Sequence, residues 1–236
     1  MDLIVQPLAH PPVELTFQAA RDEEVACGVN PTVLAFAAPW MALAAALSFR
    51  LYVRHIVLDP VTLKFADVLV RMGVRIREEV TSLEPGKWQG MLDLRPSRMK
   101  GLLLPPEFLP RVLEEIPLLA VLGALASGTT ILRGTLLAEV NNRILCRRLS
   151  TNLRSLGASV EEYSDGLTIA GGASLRGADL PTGGDPLLGM AMVVAGLAGK
   201  GECLVRDVEV AMTEHPAFFQ QVFAAQFQRA SAAGQE

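Results

Sequence analysis

The sequence predicts an α/β domain built from three copies of one unit that runs strand, helix, strand, helix, strand, strand. Two observations carry this. Three short arginine-centred strands recur, Tyr52 to Ile56 (YVRHI), Ile131 to Thr135 (ILRGT) and Leu204 to Val208 (LVRDV). Each follows an Ala/Gly-rich apolar helix of similar length, Trp40 to Leu47, Leu118 to Ala126 and Leu188 to Ala198.

A second helix follows each of these strands. In the first two copies it ends alike, with Leu69, Met72 and Gly73 in one and Leu153, Leu156 and Gly157 in the other. Glycine just past the last apolar turn adopts the left-handed conformation that closes a helix, so a strand is expected next, at Val74 to Ile76 and at Ala158 to Glu162. Ser164, Asp165 and Gly166 then form a hairpin turn into the alternating Leu167 to Ile169. The first copy has a looser equivalent, with a turn at Glu84, Pro85 and Gly86 and a returning strand at Met91 to Arg95.

The third copy lacks its hairpin, because its second helix, Ala217 to Phe227, runs into the polar tail from Gln228. Candidate strands to close it lie at the other end of the chain, in Leu3 to Val5, Val13 to Phe17 and Glu24 to Cys27. The expectation is one domain over residues 1–236, with units at roughly 33–101, 102–177 and 178–228, the last completed by strands from 1–30.

Composition sets outer bounds. Half of the 236 residues are apolar, enough for a sizeable core. The net charge is −4 and the basic residues occur singly or in pairs, such as Arg147 and Arg148, so nucleic acid is not an expected partner. Cys27, Cys146 and Cys203 are odd in number and far apart, which suits reduced, buried thiols in the cytoplasm. His10, His55 and His215 have no Cys, Asp or Glu at metal-ligand spacing, so neither metal nor cofactor is expected. The N-terminus has no secretory pattern, and the apolar run Val33 to Phe49, rich in alanine and carrying Pro39, reads as a buried helix and not a membrane span.

Four segments carry a family resemblance: LDPVTLKFADVLVRMG (Leu58 to Gly73), PSRMKG (Pro96 to Gly101), PPEFLPRVLEEIPLLAV (Pro105 to Val121) and NLRSLGASVEE (Asn152 to Glu162). Together, over about Pro39 to Phe219, the chain resembles the C-terminal half of EPSP synthase, the enolpyruvyl transferase of the shikimate pathway. The resemblance implies three βαβαββ units about a pseudo-threefold axis, helices inside and sheets outside. In the family two such domains face each other across a cleft. There the enolpyruvyl group of phosphoenolpyruvate passes to the 5-hydroxyl of shikimate 3-phosphate.

The resemblance also implies where catalytic groups belong, and this sequence departs from the pattern there. The family aspartate ahead of the Ile-Pro pair falls on Glu114, whose carboxylate stands one methylene farther out, a displacement of about an ångström. A Lys-Glu-Ser-Asp-Arg run becomes Asn141, Asn142, Arg143, Ile144 and Leu145, removing the acid/base glutamate and both cations of that run. Of an Asp-His-Arg run only Asp185 is retained, with Pro186 and Leu187 in the other places. Losing one general acid/base group costs ~10² to 10⁴ in rate, so the expectation is a pseudoenzyme.

Simpler readings stand beside these. Leu145, Leu149, Leu153 and Leu156 make an ordinary apolar helix face. Asn141 or Asn142 could cap that helix, with Arg143 beside its positive end as a reduced anion site. Arg98 and Lys100 could hold an anion or be a solvated strand edge, and Glu114 and Glu115 could be acidic residues favoured at a helix start. Arg54, Arg133 and Arg206, equivalent in the three copies, are expected to pair with carboxylates of neighbouring units. Three functions follow: a binding or interaction module that forms a homodimer or pairs with a second EPSP synthase-like domain, half of a split transferase, or a binder of an anionic shikimate-like metabolite.

Overall fold

The computed structural model describes residues 1–8, 14–18, 33–60, 63–84, 87–220 and 222–223. Three helices make its centre: α1 (Val33–Leu47), α4 (Ile116–Leu125) and α6 (Pro186–Ala198), each packed on the other two. From Ile116 to Ala124 every residue of α4 is buried, and from Leu188 to Leu197 every residue of α6. A helix apolar on all sides is stable only where every side is covered. Each fully buried leucine or valine here contributes about 1.5–3 kcal/mol relative to exposure.

Three sheets surround them. The first combines β2 (Glu14–Gln18), β3 (Arg50–Val57), β4 (Arg75–Glu84) and β5 (Lys87–Arg95) in the order β2-β3-β5-β4. The second combines β6 (Leu103–Leu104), β7 (Thr129–Arg133), β8 (Ser159–Tyr163) and β9 (Gly166–Ala170) in the order β6-β7-β9-β8. In both, one parallel pair is followed by two antiparallel ones. The third has three strands, β1 (Leu3–Val5), β10 (Asp179–Pro181) and β11 (Cys203–Arg206), with β11 parallel to β10 and antiparallel to β1.

Further helices accompany the sheets: α2 (Lys64–Arg71), α3 (Leu109–Val112), α5 (Val140–Ser155) and α7 (Glu209–Glu214). Gly73 and Gly157 close α2 and α5 with φ of 87° and 92°, as the shared stop signal predicts. The Ser164–Asp165 turn joins β8 to β9, which starts at Gly166. Of the first hairpin, Pro85 and Gly86 lie outside the described residues, but β4 and β5 pair in antiparallel register on either side.

Several expectations need correction. Val13 to Phe17 does not close the third sheet: β2 runs parallel to β3 in the first, Leu15 beside Leu51 and Phe17 beside Val53. Alternating apolar residues fix that a strand has one buried face, not which sheet it joins. Leu3 to Val5 does pair with β11, whereas Glu24 to Cys27 and the chain beyond Phe223 lie outside the described residues. The strand expected at Val74 to Ile76 extends to Glu84, and Thr135 begins a short 3₁₀ turn instead of ending a strand.

The three equivalent arginines find partners within their own sheets, not in neighbouring units. Arg133 holds Asp165 at 2.8 Å, and Arg206 holds Asp179 at 2.6 Å and Asp2 at 3.1 Å. Arg54 departs from the set, its guanidinium lying 5.4 Å from the Tyr52 ring centre. The ladder shifts register beside it, between Arg54 and Ile56, where His55 takes φ 58°. The sheet's buried aspartate, Asp93, is held instead by Arg50.

Candidate functional site

Of the residues singled out by sequence, Glu114, Asn141, Asn142, Arg143, Asp185 and Leu187 lie at the starting ends of helices. Glu114 is exposed in the turn ahead of α4. Its neighbour Glu115 is buried, and Lys64, the first residue of α2, reaches it with Nζ 3.1 Å from Oε1. The other carboxylate oxygen is buried without a hydrogen bond. Desolvation raises the Glu115 carboxyl above its ordinary range, with the Lys64 ammonium opposing the shift.

Helix α5 begins at Val140, so the expected cap by Asn141 or Asn142 is not formed. The residue ahead of the helix is Glu139, whose side chain makes no capping bond. Asn141 and Asn142 already lie in the first helical turn, too far along to accept from the orphan amides as a cap does. Asn142 donates its amide to the Leu136 carbonyl at 2.8 Å, a bond that pins the preceding turn. Asn141, Arg143 and Ile144 are exposed, and Leu145 packs part-buried against the core.

Asp185 is the residue ahead of α6, and its Oδ1 accepts from the Leu188 amide at 2.9 Å. Asp185 therefore caps a helix. Leu187 follows in the first turn, half-buried. Just before it, Gly183 and Gly184 both take positive φ, 63° and 74°, and a Cβ on Gly183 would meet the Arg148 guanidinium at 2.8 Å.

Twice an outer helix is tied to the start of a central one. Lys64 ties the start of α2 to the start of α4, and Arg111 donates to the Pro60 carbonyl at 2.8 Å nearby. On α5, Asn152 donates to the Pro181 carbonyl at 3.0 Å and Arg148 to that of Thr182 at 3.4 Å, tying α5 to the loop that starts α6. Sequence pattern alone singles out neither Lys64 nor Arg148. The Glu-Glu-Ile-Pro segment holds the one available signal for the first, since a carboxylate beside a buried helix start needs a cation.

Arg98 and Lys100 lie elsewhere. The Lys100 amide donates to the Met72 carbonyl at the end of α2, and Lys100 bridges Ser127 just past the end of α4. With α2 spanning about 12 Å, they sit at the opposite ends of these helices from Lys64 and Glu115. The structure does not bring them to Asn141, Asn142 or Arg143.

Nucleophilic chemistry finds no support in the thiols. Burial pushes Cys146 up to about 11 and raises Cys203 as well, while Cys27 lies outside the described residues. Among the described residues no three His, Cys, Asp or Glu side chains come together as metal ligands, and no helix is long and apolar enough to cross a membrane.

Comparison with known proteins places this arrangement. The family model described as EPSP synthase (3-phosphoshikimate 1-carboxyvinyltransferase) matches residues 34–222. The chain belongs to the EPSP synthase family. It is similar to the 3-phosphoshikimate 1-carboxyvinyltransferase of Akkermansia muciniphila, with 36% identity over 191 residues, covering 80% of this chain and 44% of the relative. The Synechocystis enzyme of the same name is 32% identical over 211 residues, covering 89% of this chain and 45% of its own. Among solved structures, the EPSP synthase from Acinetobacter baumannii superposes with a TM-score of 0.72 at 23% identity, over 81% of this chain and 45% of that one. The enolpyruvyl transferase NikO from Streptomyces tendae gives 0.59 at 18% identity, over 82% of this chain and 42% of its own. This EPSP synthase-family chain thus spans less than half the length of the relatives it matches.

Proposed function

We propose that this chain is an EPSP synthase-family domain that does not transfer an enolpyruvyl group by itself and acts as an interaction module. In this reading residues 33–101, 102–177 and 178–228 are three βαβαββ copies about a pseudo-threefold axis, helices inside and sheets outside. The shared strand order of the first two sheets and the β1–β11 closure of the third support it.

One observation carries the functional part. Where the family resemblance calls for a glutamate acid/base and two cations, Asn142 is spent on the Leu136 carbonyl and Ile144 stands exposed. Asp185 is spent on capping α6, and Glu114 faces solvent ahead of α4. A positioned donor or acceptor is what general acid/base catalysis requires, and these residues do not assemble one.

The partner surface is the helix-start face, where Val140 and Ile144 are 66% and 47% exposed. Apolar side chains in that position favour a second domain of the same family or a second copy of this chain, in the cytoplasm. Phosphate release from phosphoenolpyruvate and shikimate 3-phosphate tests the reading. No release by the chain alone supports it; release that Glu114→Ala abolishes overturns it. Light scattering at high concentration tests the partner: a dimer that Ile144→Glu dissociates is the outcome expected of self-pairing, and a monomer sinks it.

The half-length match to full-length transferases favours a second reading, in which this chain completes a split enzyme with a separate chain that holds shikimate 3-phosphate. Lys64 and the buried Glu115 then supply an ionisable pair at the shared face. Mixing this chain with the N-terminal half of the Akkermansia muciniphila relative distinguishes the two: phosphate release by the mixture, and by neither part alone, replaces the first reading with the second.

A further inference from the structure

The first sheet concentrates positive charge where β4 begins and β5 ends. Arg75 stands opposite Arg95 across the β4–β5 ladder, and Arg77 stands opposite Asp93. Like charges at one paired position repel, and a carboxylate between them would relieve this. The carboxylate present is already committed: Asp93 accepts from Arg50 at 2.8 and 2.9 Å and from Arg95 at 2.9 Å. Arg75 turns onto neutral oxygens, the Pro96 carbonyl and the Ser97 hydroxyl. Among the described residues the side chains of Arg77 and Arg98 have neither hydrogen bond nor ion pair. The nearest further carboxylate along this strand face, Glu79, lies opposite Met91.

Two adjoining clefts share Arg75. One, of about 380 Å³, is lined by Arg75, Arg77 and Arg95 together with Val70, Val74 and Ile76. The second, of about 480 Å³, lies between Arg75, Arg98 and the Ser97 segment. Volumes of this order suit a small molecule. A helix C-terminus favours cations, which accounts for Arg71 in the last turn of α2, stacked 4.4 Å over Phe108. It does not account for Arg77 and Arg95, which are strand residues. The concentration also runs against the net charge of −4.

We infer that the Arg75-centred cleft binds a small organic phosphate. The phosphoryl oxygens lie against Arg75 and Arg77, whose guanidinium forks match a tetrahedral oxyanion, and the carbon portion rests on Val70, Val74 and Ile76 of the same cleft, with Arg98 in the adjoining one. Gly73 lines the second cleft and ends α2, so this site sits at the far end of that helix from Lys64 and Glu115. It stands independently of the proposed partner face.

Calorimetry on the full chain with phenyl phosphate, and with inorganic phosphate for comparison, tests the site. Wild type is expected to bind phenyl phosphate more tightly than inorganic phosphate. Removing a single charge-assisted hydrogen bond should weaken binding by about tenfold, so Arg77→Gln should do so and Arg98→Gln should have a smaller effect, with circular dichroism unchanged. Arg143→Glu, on the first turn of α5, should bind as wild type does. No heat with wild type at millimolar ligand, unchanged affinity in Arg77→Gln, or weakened binding in Arg143→Glu alone would overturn the assignment. Equal affinity for the two phosphates would overturn the role of the apolar wall.

Discussion

Lys64 and Glu115, 51 positions apart, form an ion pair that joins the first turn of α2 to the residue ahead of α4, with the carboxylate side chain 5% exposed and the ammonium side chain 23%. Burying two charges is unfavourable unless each remains compensated, so removing one partner is more damaging than removing both. Lys64→Met should destabilise the fold by about 3–5 kcal/mol at neutral pH, and Lys64→Met with Glu115→Gln by much less. Urea denaturation of the three proteins measures the difference.

The same carboxyl gives a pH dependence. Its folded-state affinity for a proton is raised by desolvation, so the folded chain binds the proton more tightly than the unfolded chain. Its contribution to stability is greatest below the ordinary value of 4.5 and declines as pH rises from there through the raised folded value. Glu115→Gln should flatten that decline. Melting temperature followed from pH 4 upward checks it, and an unchanged slope would refute the assignment.

Asp93 has the opposite sign. Hydrogen bonds from Arg50, with Arg95 adding to them, hold its carboxyl down at about 2, below the ordinary 3.8. Its stabilisation is therefore complete above 3.8 and is lost as pH falls from there to about 2. Both arginines are partly exposed, which reduces the gain to on the order of 1–2 kcal/mol. Asp93→Asn should show that loss already at neutral pH, as a lower midpoint in denaturant.

Gly101 and Gly172 should respond differently to alanine. A Cβ at Gly101 would stand 2.1 Å from the Thr129 carbonyl oxygen, a main-chain atom that cannot swing aside. Gly101→Ala should cost about 3 kcal/mol or more through the shift it forces between β6 and β7. At Gly172 a Cβ meets nothing within 4 Å, and the penalty of about 1 kcal/mol comes from φ of 79° alone. Denaturant midpoints of the two variants separate steric from conformational cost.

Asp185→Ala should remove one capping bond and destabilise by about 1 kcal/mol. If the residue serves only as a cap, Asp185→Asn or Asp185→Ser restores most of the stability, since either side chain accepts the Leu188 amide equally well. A deficit that Asp185→Asn fails to restore would show that its charge has a separate task.

The three central helices were legible because their composition is apolar on every side, which leaves burial as the only stable placement. The turns at Gly73, Gly157 and Gly166 were legible because each needs a particular backbone conformation. What pattern could not supply was the partner of an element. Val13 to Phe17 reads equally well as an edge of the first or third sheet, and Arg54 looks like Arg133 until a ladder irregularity at His55 sets it apart. The Lys64–Glu115 pair depends on two helix starts meeting in space, and no local spacing encodes that. The charge where β4 begins and β5 ends was hidden for a similar reason: Arg75, Arg77, Arg95 and Arg98 form two short runs until a hairpin lays one beside the other.

The pairing of β1 with β11 sets Leu3 against Val205, so the third sheet joins stretches made roughly two hundred residues apart. As the chain leaves the ribosome, the first two sheets can assemble from material already synthesised, whereas β1 must stay single until β11 emerges. The third sheet is then the last to form and, with no strand longer than four residues, the first to open. Cutting the chain between β9 and β10, in the 171–178 segment, and joining the two ends should bring β10, β11 and β1 close in sequence and speed the final closure.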